Sequence, residues 1–243
     1  MSRPTTAMVL AAGLGTRLRP LTLDRPKALV TVGGLALIDH MIDRLAAAGI
    51  ARVVVNVHAF ADDLEAHVRR RSDVEVVVSD ERDAPLETAG GLKAARSLLG
   101  DAPILVANID SLWIEAGASA IPSLIDAWDA AKMDDVLLLS PLETSLGFDG
   151  PGDFFLGADG RLTHRGAAGR APMAFMGVHM MNPAIIDRWP GGAHGILPLW
   201  LEMARAGRLH GVAMDGEWMH VGDPAARDAA EARLSKARET HPR

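Results

Sequence analysis

A chain of 243 residues with 49% hydrophobic content and a net charge of −6 can bury one sizeable core, and it reads as a single domain over residues 1–243. The absence of cysteine excludes disulfides, thiolate metal sites and cysteine nucleophiles, so any metal must be held by oxygen or imidazole. The acidic balance, with five Phe, five Trp and no Tyr, argues against nucleic acid as a partner. No apolar run spans a bilayer and no signal-peptide pattern opens the chain, so the expectation is a cytoplasmic protein with no membrane partner.

The first apolar run, residues 7–10, reads as a buried strand. It leads into Leu10-Ala11-Ala12-Gly13-Leu14-Gly15-Thr16-Arg17, with Pro26-Lys27 nine residues further on. Small residues and two glycines let a polyanion approach backbone N–H groups, which makes this loop a candidate phosphate cradle. Two other cradles are excluded by spacing. There is no G-x-x-x-x-G-K-[ST] run, and the third glycine of a dinucleotide fingerprint is replaced by Leu18. The alternative is an ordinary Gly-rich turn, but the charge pattern favours an anion site. Arg3, Arg17, Arg19, Arg25 and Lys27 face the single acid Asp24 in the first 27 residues of an otherwise acidic chain. Among 21 arginines and four lysines, Lys27 supplies a compact point charge suited to phosphate oxygens.

Apolar residues at 38, 41, 42 and 45 predict a helix, followed by a strand at 53–57, a helix at 60–71, a strand at 74–78, a helix at 88–99 and a strand at 104–107. This βαβα order predicts an α/β fold with a parallel sheet and helices on both faces. Within it, Ser79-Asp80-Glu81 precedes Pro85-Leu86-Glu87-Thr88-Ala89-Gly90-Gly91. Glycine in a helix costs about 1 kcal/mol relative to alanine, so the pair has a local reason, for which close approach of a planar base is one candidate and a plain loop-to-helix start the other. A Glu81 carboxylate could accept an imide N–H from uracil. Asn108-Ile109-Asp110 ends the fourth strand, where an acid lands in the crevice at the sheet's carboxyl edge; it is a candidate metal ligand or an ordinary turn acid.

Beyond residue 111 the pattern changes. A strand is predicted at 136–139, a hairpin around Asp159-Gly160, a strand at 173–181, and helices at 195–206 and 225–236. The hairpin is expected to form a small lid over the carboxyl ends of the strands. Asp223, followed by Pro224, reads best as the cap of the last helix. His58, His67 and His164 read as surface or satisfied histidines.

The eight-residue loop with its Pro-Lys pair resembles the signature of the sugar-phosphate nucleotidyltransferases. The resemblance extends to the Thr-Ala-Gly-Gly turn, the strand-end aspartate, Gly152-Asp153-Phe154 and the Trp218-Met219-His220-Val221-Gly222 element. It implies a Rossmann-like nucleotide-diphospho-sugar transferase fold, with residues 1–111 as the nucleotide-binding half and 112–243 as the sugar-binding half with closing helices. It implies Arg17 and Lys27 as catalytic residues. Ala11, Ala12, Gly13, Gly15, Thr16, Glu81, Ala89 and Gly90 would join them in nucleotide binding, and Asn108, Asp153, Phe175 and Gly177 would grip the sugar. For Phe175, core packing is the alternative. Two positions depart from the family. Ile109 stands where a glycine is usual, and His220 stands where an aspartate is the second metal ligand beside Asp110. A magnesium cofactor is implied, with manganese favoured if His220 ligates. Among subfamilies the chain resembles the N-acetylmuramate 1-phosphate uridylyltransferases of cell-wall recycling, which use UTP. The alternatives are a thymidylyl- or guanylyltransferase acting on a hexose or heptose 1-phosphate, and a nucleotide-sugar-sensing subunit without catalysis.

Overall fold

Four apolar runs form the floor of the molecule. In the computed structural model, which describes residues 3–240, the strands Ile104–Asn108, Thr6–Leu10, Arg52–Val57 and Glu75–Asp80 lie side by side in that order, all parallel. Burial is nearly continuous along the first three, as a sheet covered on both faces requires. Alternate residues feed two cores. Val9, Val55 and Leu105 pack with the helix Leu37–Ala47, whereas Met8, Val54 and Val106 pack with Leu92, Leu99 and Trp200 on the other face.

The expected mostly parallel sheet holds through residue 108 only. Beyond it the sheet becomes mixed, because Met173–Met181 runs antiparallel to both Ile104–Asn108 and Asp135–Pro141, with Leu209–Ala213 parallel to the latter at the side. Strands reached without a helical crossover return antiparallel. The Asp159-Gly160 hairpin forms, with Phe154 opposite His164. Rather than standing apart as a lid, it joins the main sheet through Phe154 opposite Met173. Both halves of the chain thus contribute to one nine-stranded sheet.

A second, three-stranded sheet was not foreseen. Gly216–His220 pairs antiparallel with Ser111–Glu115 and parallel with Ser145–Leu146, which sets His220 opposite Ser111. Sequences such as GEWMH and SLWIE carry too little alternation to announce a strand. The single helix expected at 88–99 is two, Glu87–Ala94 and Arg96–Leu99. No helix among the described residues is long and apolar enough to cross a membrane.

Candidate active site

The strand Thr6–Leu10 ends at the carboxyl edge of the sheet, and the loop that follows is shaped by one glycine. Gly15 has φ +62°, and a Cβ there would sit 3.0 Å from the Lys27 Cβ and 3.1 Å from the Thr22 methyl. The Thr22 hydroxyl donates to the Gly15 carbonyl at 2.8 Å. The loop is therefore folded directly against Lys27, which explains why Gly15 and the Pro-Lys pair occur together.

Lys27 Nζ lies 2.7 Å from Asp110 Oδ2, with both side chains mostly out of water. Desolvation pushes the Asp110 carboxyl up, but the Lys27 charge and the neighbouring His220 outweigh it and hold the group below the usual carboxylate range. The strand Ile104–Asn108 ends at the crevice, and the turn that follows sets Ile109 and Asp110 beside Asn108 in its lining. His220 Nε2 comes to 3.9 Å from the same carboxylate oxygen. The strand pairing of His220 with Ser111 and the Val221 N–H donated to the Asp110 carbonyl at 2.8 Å bring them together across the fold. Burial pushes His220 below the usual histidine range, with Lys27 and Arg17 adding to that and Asp110 opposing it. Its Nε2 is buried and has no hydrogen-bond partner among the described residues. A neutral imidazole with a free nitrogen beside a carboxylate fits a divalent cation. Because no group of three His, Asp or Glu gathers among the described residues, further ligands would come from the substrate.

Asp110, Asn108, Lys27, Ala12, Gly13, Leu14, Asn56, Glu81 and the turn from Pro85 to Thr88 line one cavity of about 290 Å³. Its floor rests on Asn56, a buried residue that sequence reading passed over. Asn56 Oδ1 accepts the N–H groups of Ala11 at 2.6 Å and Ala12 at 3.2 Å, and its Nδ2 donates to Glu81 Oε1 at 2.9 Å. Ala11 and Ala12 therefore do not offer their amides as a cradle, because a side chain from the next strand has taken them. Among the described residues nothing takes up the N–H groups of Gly13, Leu14, Gly15 or Thr16. A polar residue inside the apolar run Val-Val-Val-Asn-Val was the available signal.

Glu81 is likewise more builder than reader. It is 3% exposed, accepts from Asn56 and from the Leu86 N–H at 3.4 Å, and burial pushes its pKa up. His58 anchors the same corner, its Nδ1 2.7 Å from the Glu81 carbonyl oxygen. The glycine pair also has an internal cause. A Cβ on Gly91 would lie 2.9 Å from Glu81 Oε1, and one on Gly90 would collide with the Gly192 carbonyl. The amides of Ala89 and Gly90, expected to face a base, donate to the His194 carbonyl at 2.9 and 3.2 Å. Close approach is required here, but by the protein's own backbone.

Arg17 stands exposed on the short turn Thr16–Leu18, outside the cavity lining. Of the expected sugar residues, Asn108 lines the cavity, and Gly177 adjoins it, since a Cβ at Gly177 would meet the Asn108 Cβ at 3.0 Å. Gly177 falls where the register of Met173–Met181 shifts against its neighbour, between Phe175 and His179. Asp153 Oδ2 accepts the Phe175 N–H at 2.9 Å, so this carboxylate shapes the irregular strand. Phe175 packs edge-on against Trp200 with centroids 4.8 Å apart, and Trp200 in turn donates to the buried Asp135 at 2.8 Å. Core packing thus accounts for much of the phenylalanine. Asp223 accepts the Ala226 N–H at 2.8 Å and caps the last helix, as expected.

Asn56→Ala leaves the Ala11 and Ala12 N–H groups and Glu81 without their partner. Unmet buried groups cost about 1–3 kcal/mol each, so a loss of about 3 kcal/mol and a fall of about 6–12 °C in Tm are expected by thermal unfolding. A change under 2 °C would show that the loop is not held from this side chain.

Residues 6–138 match the nucleotidyl transferase family model. The chain is 54% identical over 238 residues to the N-acetylmuramate alpha-1-phosphate uridylyltransferase of Caulobacter vibrioides, covering 96% of this chain and 98% of that protein. It is 32% identical to the enzyme of the same description from Neisseria meningitidis serogroup B, covering 93% and 96%. Its fold matches the inositol-1-phosphate CTP transferase from T. maritima with a TM-score of 0.78 at 19% identity, over 98% of both chains.

Proposed function

This chain belongs to the nucleotidyl transferase family as a sugar-1-phosphate nucleotidyltransferase, and we propose that it couples UTP to N-acetylmuramate 1-phosphate, forming the nucleotide-sugar and pyrophosphate. The observation that carries this reading is identity with a uridylyltransferase at more than half of the positions along nearly the whole chain. The cavity between the glycine loop and the 85–88 turn supports it, being polar at the Lys27–Asp110 end and floored by a prebuilt hydrogen-bond network. The product is a precursor-type wall sugar, which fits salvage of cell-wall material in the cytoplasm, where nucleoside triphosphates are held.

The reaction needs no covalent enzyme intermediate. An oxygen of the sugar phosphate attacks the α-phosphorus of UTP, a P–O bond forms, and the bond to the bridging oxygen breaks as pyrophosphate leaves with its electron pair. The chain's task is alignment and charge neutralisation. The amides of Gly13, Leu14, Gly15 and Thr16, together with the exposed Arg17, would hold the triphosphate. Lys27, released from Asp110 by the arriving phosphates, would meet the charge that builds at the α-phosphate. Asp110 and His220 would hold the divalent cation that this family generally uses, which supplies further neutralisation of phosphate charge. Gly177 and Asn108 would border the sugar, with Asp153 and Phe175 shaping that wall.

The direct test is pyrophosphate release, which should require UTP and N-acetylmuramate 1-phosphate together; no release with both, or equal release when either is omitted, would overturn the reading. A second test addresses the departure at His220. An imidazole ligand in place of a carboxylate removes one negative charge and suits manganese better than magnesium. His220→Ala should need about tenfold or more metal for half-maximal rate, and His220→Asp should shift preference toward magnesium. Equal metal requirements in all three proteins would exclude ligation.

A further inference from the structure

Two non-glycine residues among those described have a left-handed backbone, Phe60 at φ 52° and Glu87 at φ 59°. Glycine adopts this conformation freely, whereas a residue with a Cβ adopts it at a cost. Glu87 opens the helix Glu87–Ala94 and lines the cavity beside Pro85, Leu86 and Thr88. The Glu87 side chain makes no internal contact that repays the strain, being exposed and without a hydrogen-bond or ion-pair partner among the described residues. The carboxylate lies beside Gly195, where a Cβ would come to 3.3 Å from Glu87 Oε2. The wall behind it is fixed by the His194 carbonyl on Ala89 and Gly90 and by the Asn56–Glu81 network under Gly91, so the carboxylate is presented from a rigid mount. Strain kept at a cavity wall with a free acceptor is the pattern found where a ligand uses the group.

We infer that Glu87 is a specificity-determining residue of the nucleotide site. Its carboxylate accepts a hydrogen bond from an uncharged donor on the bound nucleotide, either the ribose 2′-hydroxyl or the imide N–H of uracil. Like charge keeps the carboxylate from the triphosphate end, where Lys27 and the free loop amides lie, and leaves it the nucleoside end. This inference rests on the assignment of the cavity to UTP.

The test uses the full-length protein and its variants Glu87→Ala and Glu87→Gly, assayed with UTP, dUTP and CTP at fixed N-acetylmuramate 1-phosphate. Both variants lack the carboxylate, but only glycine relieves the backbone, so Glu87→Gly should melt several degrees above Glu87→Ala. Despite that difference, both should lose kcat/KM for UTP equally, by about 10- to 100-fold, as expected for a charge-assisted hydrogen bond. If the donor is the 2′-hydroxyl, dUTP is little affected and the preference for UTP over dUTP collapses. If it is the imide, UTP and dUTP fall together and the preference over CTP collapses. Unchanged UTP/dUTP and UTP/CTP ratios in both variants, or a loss confined to the less stable alanine protein, would overturn the inference. A wild-type protein inactive with both UTP and dUTP would overturn the substrate reading as well, which distinguishes the two failures.

Discussion

Lys27→Ala should lower turnover about a hundredfold or more while leaving UTP affinity nearly unchanged. The reason is differential: a point charge that meets developing negative charge acts on the transition state more than on the bound substrate, and removing one preorganised contact of this kind costs about 10²–10³ in rate. The 2.7 Å contact with Asp110 adds a second consequence. Without Lys27, the burial of Asp110 loses the charge that chiefly opposes it, so its carboxyl pKa rises from its present depressed position. A carboxylate with a depressed folded pKa contributes stability above its unfolded pKa and loses it as pH falls through the folded value. The variant should therefore be less stable than wild type near neutral pH, with the gap closing in acid, and its activity should fail at a higher pH on the acid side. Steady-state kinetics, equilibrium UTP binding and thermal unfolding across pH read all three. Unchanged turnover with only a raised KM would leave Lys27 a binding residue.

Asp110→Asn should reduce metal-dependent turnover by about a thousandfold while leaving the fold intact. An amide is a weak ligand for a hard cation, and the substitution keeps the size of a side chain that sits just beyond the strand Ile104–Asn108, outside both hydrophobic clusters. Lys27 also loses its charged partner, so the variant should bind UTP no more weakly than wild type in the absence of metal. Circular dichroism checks the fold, and turnover measured against magnesium and manganese concentration checks the role. Retention of most of the activity in either metal would place the cation elsewhere.

The placement of Lys27 and Asp110 at one end of the cavity was legible because each is announced locally. Lys27 packs close to Gly15, where a Cβ would crowd it, so loop and Pro-Lys pair are tied to one spacing, and an acid after a buried parallel strand lands at the sheet's carboxyl edge. The Asp-Gly hairpin and the Asp223 cap were readable for the same reason. What escaped depends on partners far along the chain. Asn56 reaches back 45 residues to Ala11, and sequence spacing gives no sign that one amide side chain takes two loop N–H groups and a carboxylate. For Gly90 and Gly91 the sequence offers close approach of a planar base or a plain helix start, whereas the groups that approach are the protein's own Gly192 and Glu81, which composition cannot tell from a ligand. His220 meets Asp110 only through a three-stranded sheet whose strands lack a period-two signal.

The claim that this is an N-acetylmuramate 1-phosphate uridylyltransferase is tested most directly by competition. The protein is given equimolar UTP, CTP, dTTP and GTP together with N-acetylmuramate, glucose and mannose 1-phosphates, and the products are identified by mass. Uridine diphosphate N-acetylmuramate is expected as the dominant product, depleted by Lys27→Ala and Asp110→Asn alike. A dominant guanosine or thymidine product, or a uridine product on glucose or mannose, would contradict it.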